Sequence, residues 1–70
     1  MKVQINCVTE FRTAQKETVQ TFDNGVVLIT CRRTGITGVY INGELKTTYE
    51  RLLIEEYTRL QIEVQEMKII

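Results

Sequence analysis

The sequence predicts an α+β fold, a small antiparallel β-meander of four to five strands followed by one C-terminal amphipathic helix. Three observations carry this. Ten Thr, seven Val and eight Ile stand among 70 residues, most of them before residue 48, and β-branched side chains favour the pleated sheet. Asn24-Gly25 and Asn42-Gly43 are each the dipeptide that supplies the positive φ of a tight type I′ hairpin turn, with apolar residues on either side. From residue 47 onward the apolar spacing changes to steps of three and four, the period of a helix face.

Taken in order, the first strand is expected over residues 2–9, where Val3, Ile5 and Cys7 alternate with Gln4 and Asn6 in the manner of a half-buried strand. Arg12 to Lys16 shows no such alternation and reads as a loop. A more polar second strand follows over 17–22. Residues 26–33 form the third, and its run Val26-Val27-Leu28-Ile29, apolar on both faces, marks it as central. A two-residue turn at Asn24-Gly25 would set Glu17 opposite Arg32, a favourable cross-strand pair. Strands four and five are expected over 37–41 and 44–46. The helix is expected over 48–66: Thr47 and Glu50 have capping-box spacing, and Tyr49, Leu53, Tyr57, Leu60, Val64 and Met67 make one apolar stripe. Arg51, Glu55, Arg59 and Glu63 run along the other side as an i,i+4 ladder. Residues 60–65 also alternate as a strand would; a continuing helix is preferred.

Size constrains the fold further. A single core in 70 residues supplies only about 3–5 kcal/mol, and small domains usually add disulfides, a metal or a partner subunit. With two cysteines and no His, a structural zinc site within one chain has too few ligands. Self-association is the remaining support. Ile54, Ile62, Ile69 and Ile70 find no obvious place within one protomer, and with Tyr57 they are the expected oligomer interface.

The inventory excludes much chemistry. The chain has no His, Trp, Pro or Ser, which removes Ser nucleophiles and His-paired triads. Cys7 and Cys31 sit in apolar runs and read as buried small hydrophobes. Glu55 and Glu56 project about 100° apart on a helix, and Glu63 and Glu66 share a solvated face, so neither pair reads as an acid–base couple. Gly35-Ile36-Thr37-Gly38 is followed by a strand, whereas a phosphate-cradling loop needs a helix N-terminus there. No catalytic residue, cofactor or metal ligand is assigned.

Formal charge is zero, with nine basic and nine acidic residues, too balanced to imply a nucleic-acid partner by itself. Arg32 and Arg33, with Arg12 and Lys16 nearby, could still form a small basic edge on which Tyr40 or Phe11 stacks a base. No run approaches the ~20 apolar residues of a membrane span, and Met1-Lys2-Val3-Gln4-Ile5-Asn6 lacks the apolar region of a signal peptide. The expected location is therefore the cytoplasm, or the host-cell cytoplasm for a phage-encoded chain.

The expected protein is a non-enzymatic homo-oligomer, a dimer first, that regulates or inhibits another protein whose identity the residues do not give. It has the character of phage or mobile-element accessory proteins. An RNA or single-stranded DNA binder using Arg32, Arg33 and Tyr40 ranks second, with a small structural component of an assembly beside it. The order of meander then helix resembles that of several small dimeric regulators, some of them RNA-binding, but topology alone does not carry function.

Overall fold

A computed structural model of the protein describes residues 4–68. Five strands, β1 (Cys7–Arg12), β2 (Glu17–Phe22), β3 (Val26–Cys31), β4 (Ile36–Ile41) and β5 (Glu44–Glu50), precede one helix, α1 (Ile54–Gln65). Every strand pairs antiparallel with its sequence neighbour, giving the sheet order β1-β2-β3-β4-β5. This is the meander-plus-helix expected from the residue pattern.

The two Asn-Gly turns differ. At Asn42-Gly43 both residues have positive φ, 54° and 77°, and Ile41 lies opposite Glu44, so this is the two-residue type I′ hairpin. At the first turn only Gly25 has positive φ, and its N–H donates to the Phe22 carbonyl at 3.0 Å. The loop is three residues, Asp23-Asn24-Gly25. That extra residue shifts the register by one: Glu17 lies opposite Cys31, not Arg32. Arg32 instead donates its N–H to the Lys16 carbonyl at 2.8 Å, and Glu17 lies 4.0 Å from Arg12.

The first strand also lies later than expected. Residues 4–6 are outside it, and Val3 falls beyond the described residues. Ile5 and Cys7 do point inward against the core, but the backbone at 4–6 is held by a side chain: Asn6 N–H donates to Gln65 Oε1 at 3.1 Å, and Gln65 Nε2 donates to the Gln4 carbonyl at 2.9 Å. Pairing begins at Cys7 and runs past the expected end at residue 9 through Phe11 and Arg12, the latter read as loop from sequence. β3 ends at Cys31 rather than residue 33, because Gly35 N–H donates to the Cys31 carbonyl at 2.7 Å and closes the turn.

β5 is longer and α1 starts later than the capping-box spacing of Thr47 and Glu50 suggests. Thr47, Thr48 and Tyr49 pair with Val39, Gly38 and Thr37, and a β-branched, aromatic run gains more from that ladder than from a helix start. Arg51, at φ 46°, ends the strand with its N–H on the Gly35 carbonyl at 2.9 Å. The helix is then capped by Glu56, whose carboxylate accepts from the Leu53 N–H at 3.0 Å. It continues to Gln65, so residues 60–65 are helical. The ion pairs among the described residues, Arg12 with Glu10 and Glu17 and Lys46 with Glu44, all lie on the sheet, and the helical charge ladder is not closed.

Phe22, Val26, Leu28, Val39, Leu60 and Val64 form the core. Of the expected stripe only Leu60 and Val64 are buried; Leu53 and Met67 are exposed. The opposite sheet face carries no helix, and its Val19 is buried among neighbouring strands.

Candidate functional site

One helix with side chains is about 10–12 Å wide, whereas five strands spaced about 4.8 Å apart span roughly 19 Å. The helix therefore cannot cover its sheet face. Leu60 and Val64 anchor its C-terminal half, and beside its N-terminal half a cleft of about 450 Å³ stays open. Thr9 and Phe11 from β1, Thr18 and Gln20 from β2 and Thr30 from β3 form the sheet side; Leu52, Ile54, Tyr57 and Thr58 form the other. Strand alternation and the register put these sheet residues on one face, since Phe11 lies opposite Thr18 and Thr9 opposite Gln20.

The floor is a connected polar chain. Thr30 donates its hydroxyl to Tyr57 Oη at 3.3 Å and lies 3.1 Å from the Thr37 hydroxyl. Tyr57 donates to Gln20 Oε1, which also accepts from Gln61 Nε2 at 3.0 Å. Burial pushes the Tyr57 phenol up from its ordinary pKa, partly offset by the Thr30 hydrogen bond, so it is neutral at pH 7. No buried side-chain N or O among the described residues lacks a partner. These hydrogen bonds are made within the protein, and the exposed walls of the cleft are apolar: Ile54 is 87% and Phe11 65% exposed.

Of the interface residues expected from sequence, Ile54 and Tyr57 meet at this cleft. Ile62 is half-buried farther along the helix and does not line it. Ile69 and Ile70 lie outside the described residues. The sheet-side residues Thr9, Thr18, Gln20 and Thr30 were not singled out from sequence; their shared face is visible only once the register is known.

Arg32 and Arg33 are exposed at the β3–β4 turn, where with Thr13 and Lys16 they line a shallow depression of about 390 Å³. Tyr40 is not beside them. It is half-buried on the helix-free face, with its ring against Gly38, where an added Cβ would lie 3.0 Å from the ring and 3.1 Å from Leu45.

The cysteines diverge. Cys7 packs against the core. Cys31 is half-buried on the helix-free face with Ile29 and Tyr40. The Thr34 hydroxyl, followed by the Thr34 and Arg33 backbone N–H groups, holds its thiol below the ordinary pKa. Among the described residues no group of three or more Cys, Asp or Glu is placed to hold a metal ion, and no helix is long and apolar enough to cross a membrane.

Comparison with protein-family models, with curated proteins and with solved structures finds no match to the chain.

Proposed function

We propose that this chain is a small, non-enzymatic, homo-oligomeric interaction protein that regulates or inhibits another protein by binding it. The observation that carries the reading is the pair of exposed apolar side chains, Phe11 and Ile54, on the walls of a cleft whose floor is a hydrogen-bonded chain of Thr30, Tyr57, Gln20 and Gln61. Such a surface rewards an apolar side chain of a partner. The proposed site of action is the cytoplasm, or the host-cell cytoplasm if the chain is phage-encoded.

The binding half is tested by affinity capture from the native cell with wild type, Ile54→Glu and Phe11→Glu, each verified as folded by circular dichroism. One discrete partner retained by wild type and lost by both variants is expected. Equal capture by all three would overturn it. The oligomer half is tested by sedimentation equilibrium over a series reaching about 1 mM, the weak end of specific association; a monomer throughout overturns it.

The depression shared by Lys16, Arg32 and Arg33 favours a second reading, weak binding of single-stranded RNA or DNA. Fluorescence anisotropy with a labelled oligonucleotide at low salt tests it. The expected binding falls with added salt and with the double variant Arg32→Ala, Arg33→Ala; no signal at low salt rejects it.

A further inference from the structure

The two edges of the sheet are not equivalent. β5 carries a bulge: Tyr40 lies opposite Leu45 and Val39 opposite Thr47, which leaves Lys46 as an extra residue. Bulges and edge lysines are the devices by which sheets refuse another strand. β1 has neither. It pairs with β2 through six consecutive residues without a shift, it contains no Pro, and among the described strands it has no neighbour on its outer side.

We propose that β1 is the seam of a homodimer, in which a second copy of this chain adds its own β1 antiparallel across a two-fold axis at Phe11. The inference rests on the homo-oligomeric reading above and specifies its geometry. In a two-fold antiparallel pair, facing residues lie on the same side of the sheet, so the axis must pass through a residue position. An axis at Glu10 sets two carboxylates opposite each other, which is destabilising. An axis at Thr9 sets Glu10 against Val8 of the second copy and leaves its charge unmatched. The axis at Phe11 sets Glu10 opposite Arg12 and Arg12 opposite Glu10, with Phe11 opposite Phe11. That register alone is complementary in charge, and it gives each exposed Phe11 an aromatic partner.

The seam also explains the pairing of charges within one chain. Glu10 and Arg12 are two residues apart on the helix-free face and 3.2 Å from each other, so a second copy brings the same pair in reverse order and makes an alternating square of charge. On the other face Phe11 is a wall of the cleft, and the two-fold axis brings the two clefts together there. A seam of three facing pairs within β1, Glu10 with Arg12, Phe11 with Phe11 and Arg12 with Glu10, is small beside the roughly 800 Å² per partner of a stable interface, so association is concentration-dependent.

The test is a charge exchange read by sedimentation equilibrium. Glu10→Arg and Arg12→Glu, each alone, confront like charges across the axis twice, and each is expected to weaken self-association about tenfold. Mixed in equal amounts, the two variants set introduced charge against introduced charge and native against native. The mixture is expected to recover association close to that of wild type. Only folded protomers can show that recovery, so it separates loss of the seam from loss of the fold. Wild type that self-associates while both variants do so equally well overturns the seam and leaves the homo-oligomeric reading standing. So does a mixture that associates no better than its components. Wild type that stays monomeric to about 1 mM overturns both.

Discussion

The carboxamide of Asn24, in the turn between β2 and β3, donates a hydrogen bond of 2.7 Å to the carbonyl of Val64 in the last turn of the helix, 40 residues away. The same nitrogen donates to the Met67 carbonyl at 3.0 Å, and Oδ1 accepts from the Val26 N–H at 3.1 Å. One side chain thus shapes a hairpin and ties it to the carbonyls of Val64, at the end of the helix, and of Met67 just beyond it.

Asn24→Ala is expected to destabilise the fold by about 1–3 kcal/mol, the cost of part-buried polar groups left unmatched. Asn24→Asp is expected to cost more, since it removes both donors and adds a negative charge at the helix C-terminus. Urea denaturation of the three proteins checks the order; an Asp variant as stable as wild type contradicts it.

Tyr57→Phe removes the central link of the Thr30–Tyr57–Gln20 chain and is expected to cost about 1 kcal/mol near neutral pH. Because burial raises the Tyr57 pKa, the folded state holds this proton more tightly than the unfolded chain. Its contribution is therefore complete below the unfolded tyrosine value of about 10 and is lost as pH rises through the higher folded value. Denaturation midpoints measured from about pH 8 to 12 should fall less steeply for Tyr57→Phe than for wild type on the alkaline side.

Cys31 is expected to alkylate faster than Cys7 below the ordinary thiol range, because the Thr34 hydroxyl and nearby backbone N–H groups stabilise its thiolate and because Cys7 packs against the core. Thr34→Val should move the pH midpoint of Cys31 labelling upward and leave Cys7 unchanged. Timed iodoacetamide labelling with peptide mass analysis reads both sites at once, and an unmoved midpoint rejects the role given to Thr34.

Gly38→Ala introduces a methyl 3.0 Å from the Tyr40 ring and 3.1 Å from Leu45. Overpacking of this kind costs about 1–3 kcal/mol. In the background of Tyr40→Ala the same change should cost less, since one of the two obstructing groups is gone; thermal or chemical denaturation of the four-protein cycle measures the coupling.

The meander and the helix were legible because their signals are local. β-branched density, two Asn-Gly turns and a three–four spacing act over a few residues. The misplaced boundaries arose where a distant partner overruled a local pattern. Thr47 and Glu50 have the spacing of a helix start, yet the ladder to Thr37, Gly38 and Val39 claims that segment as strand. Val3, Ile5 and Cys7 alternate like a strand, yet Gln65 takes the backbone at residues 4–6. At the candidate site, Ile54 stood out as apolar surplus on a helix and Tyr57 as part of its stripe, both named for an interface. The facing wall did not stand out, because a first strand expected over residues 2–9 stops short of Phe11 and of the alternation that sets it on the same side as Thr9.

The strand order has one further consequence. Since each strand is bonded to its neighbour in sequence, the sheet can assemble through short loop closures alone, a topology of low contact order that folds fast. The helix is held to the sheet through Leu60 and Val64 and through the side chains of Asn24, Tyr57, Gln61 and Gln65. The sheet's apolar face and the helix share one core, Phe22, Val26, Leu28 and Val39 against Leu60 and Val64, so a domain this small is expected to unfold as one cooperative unit.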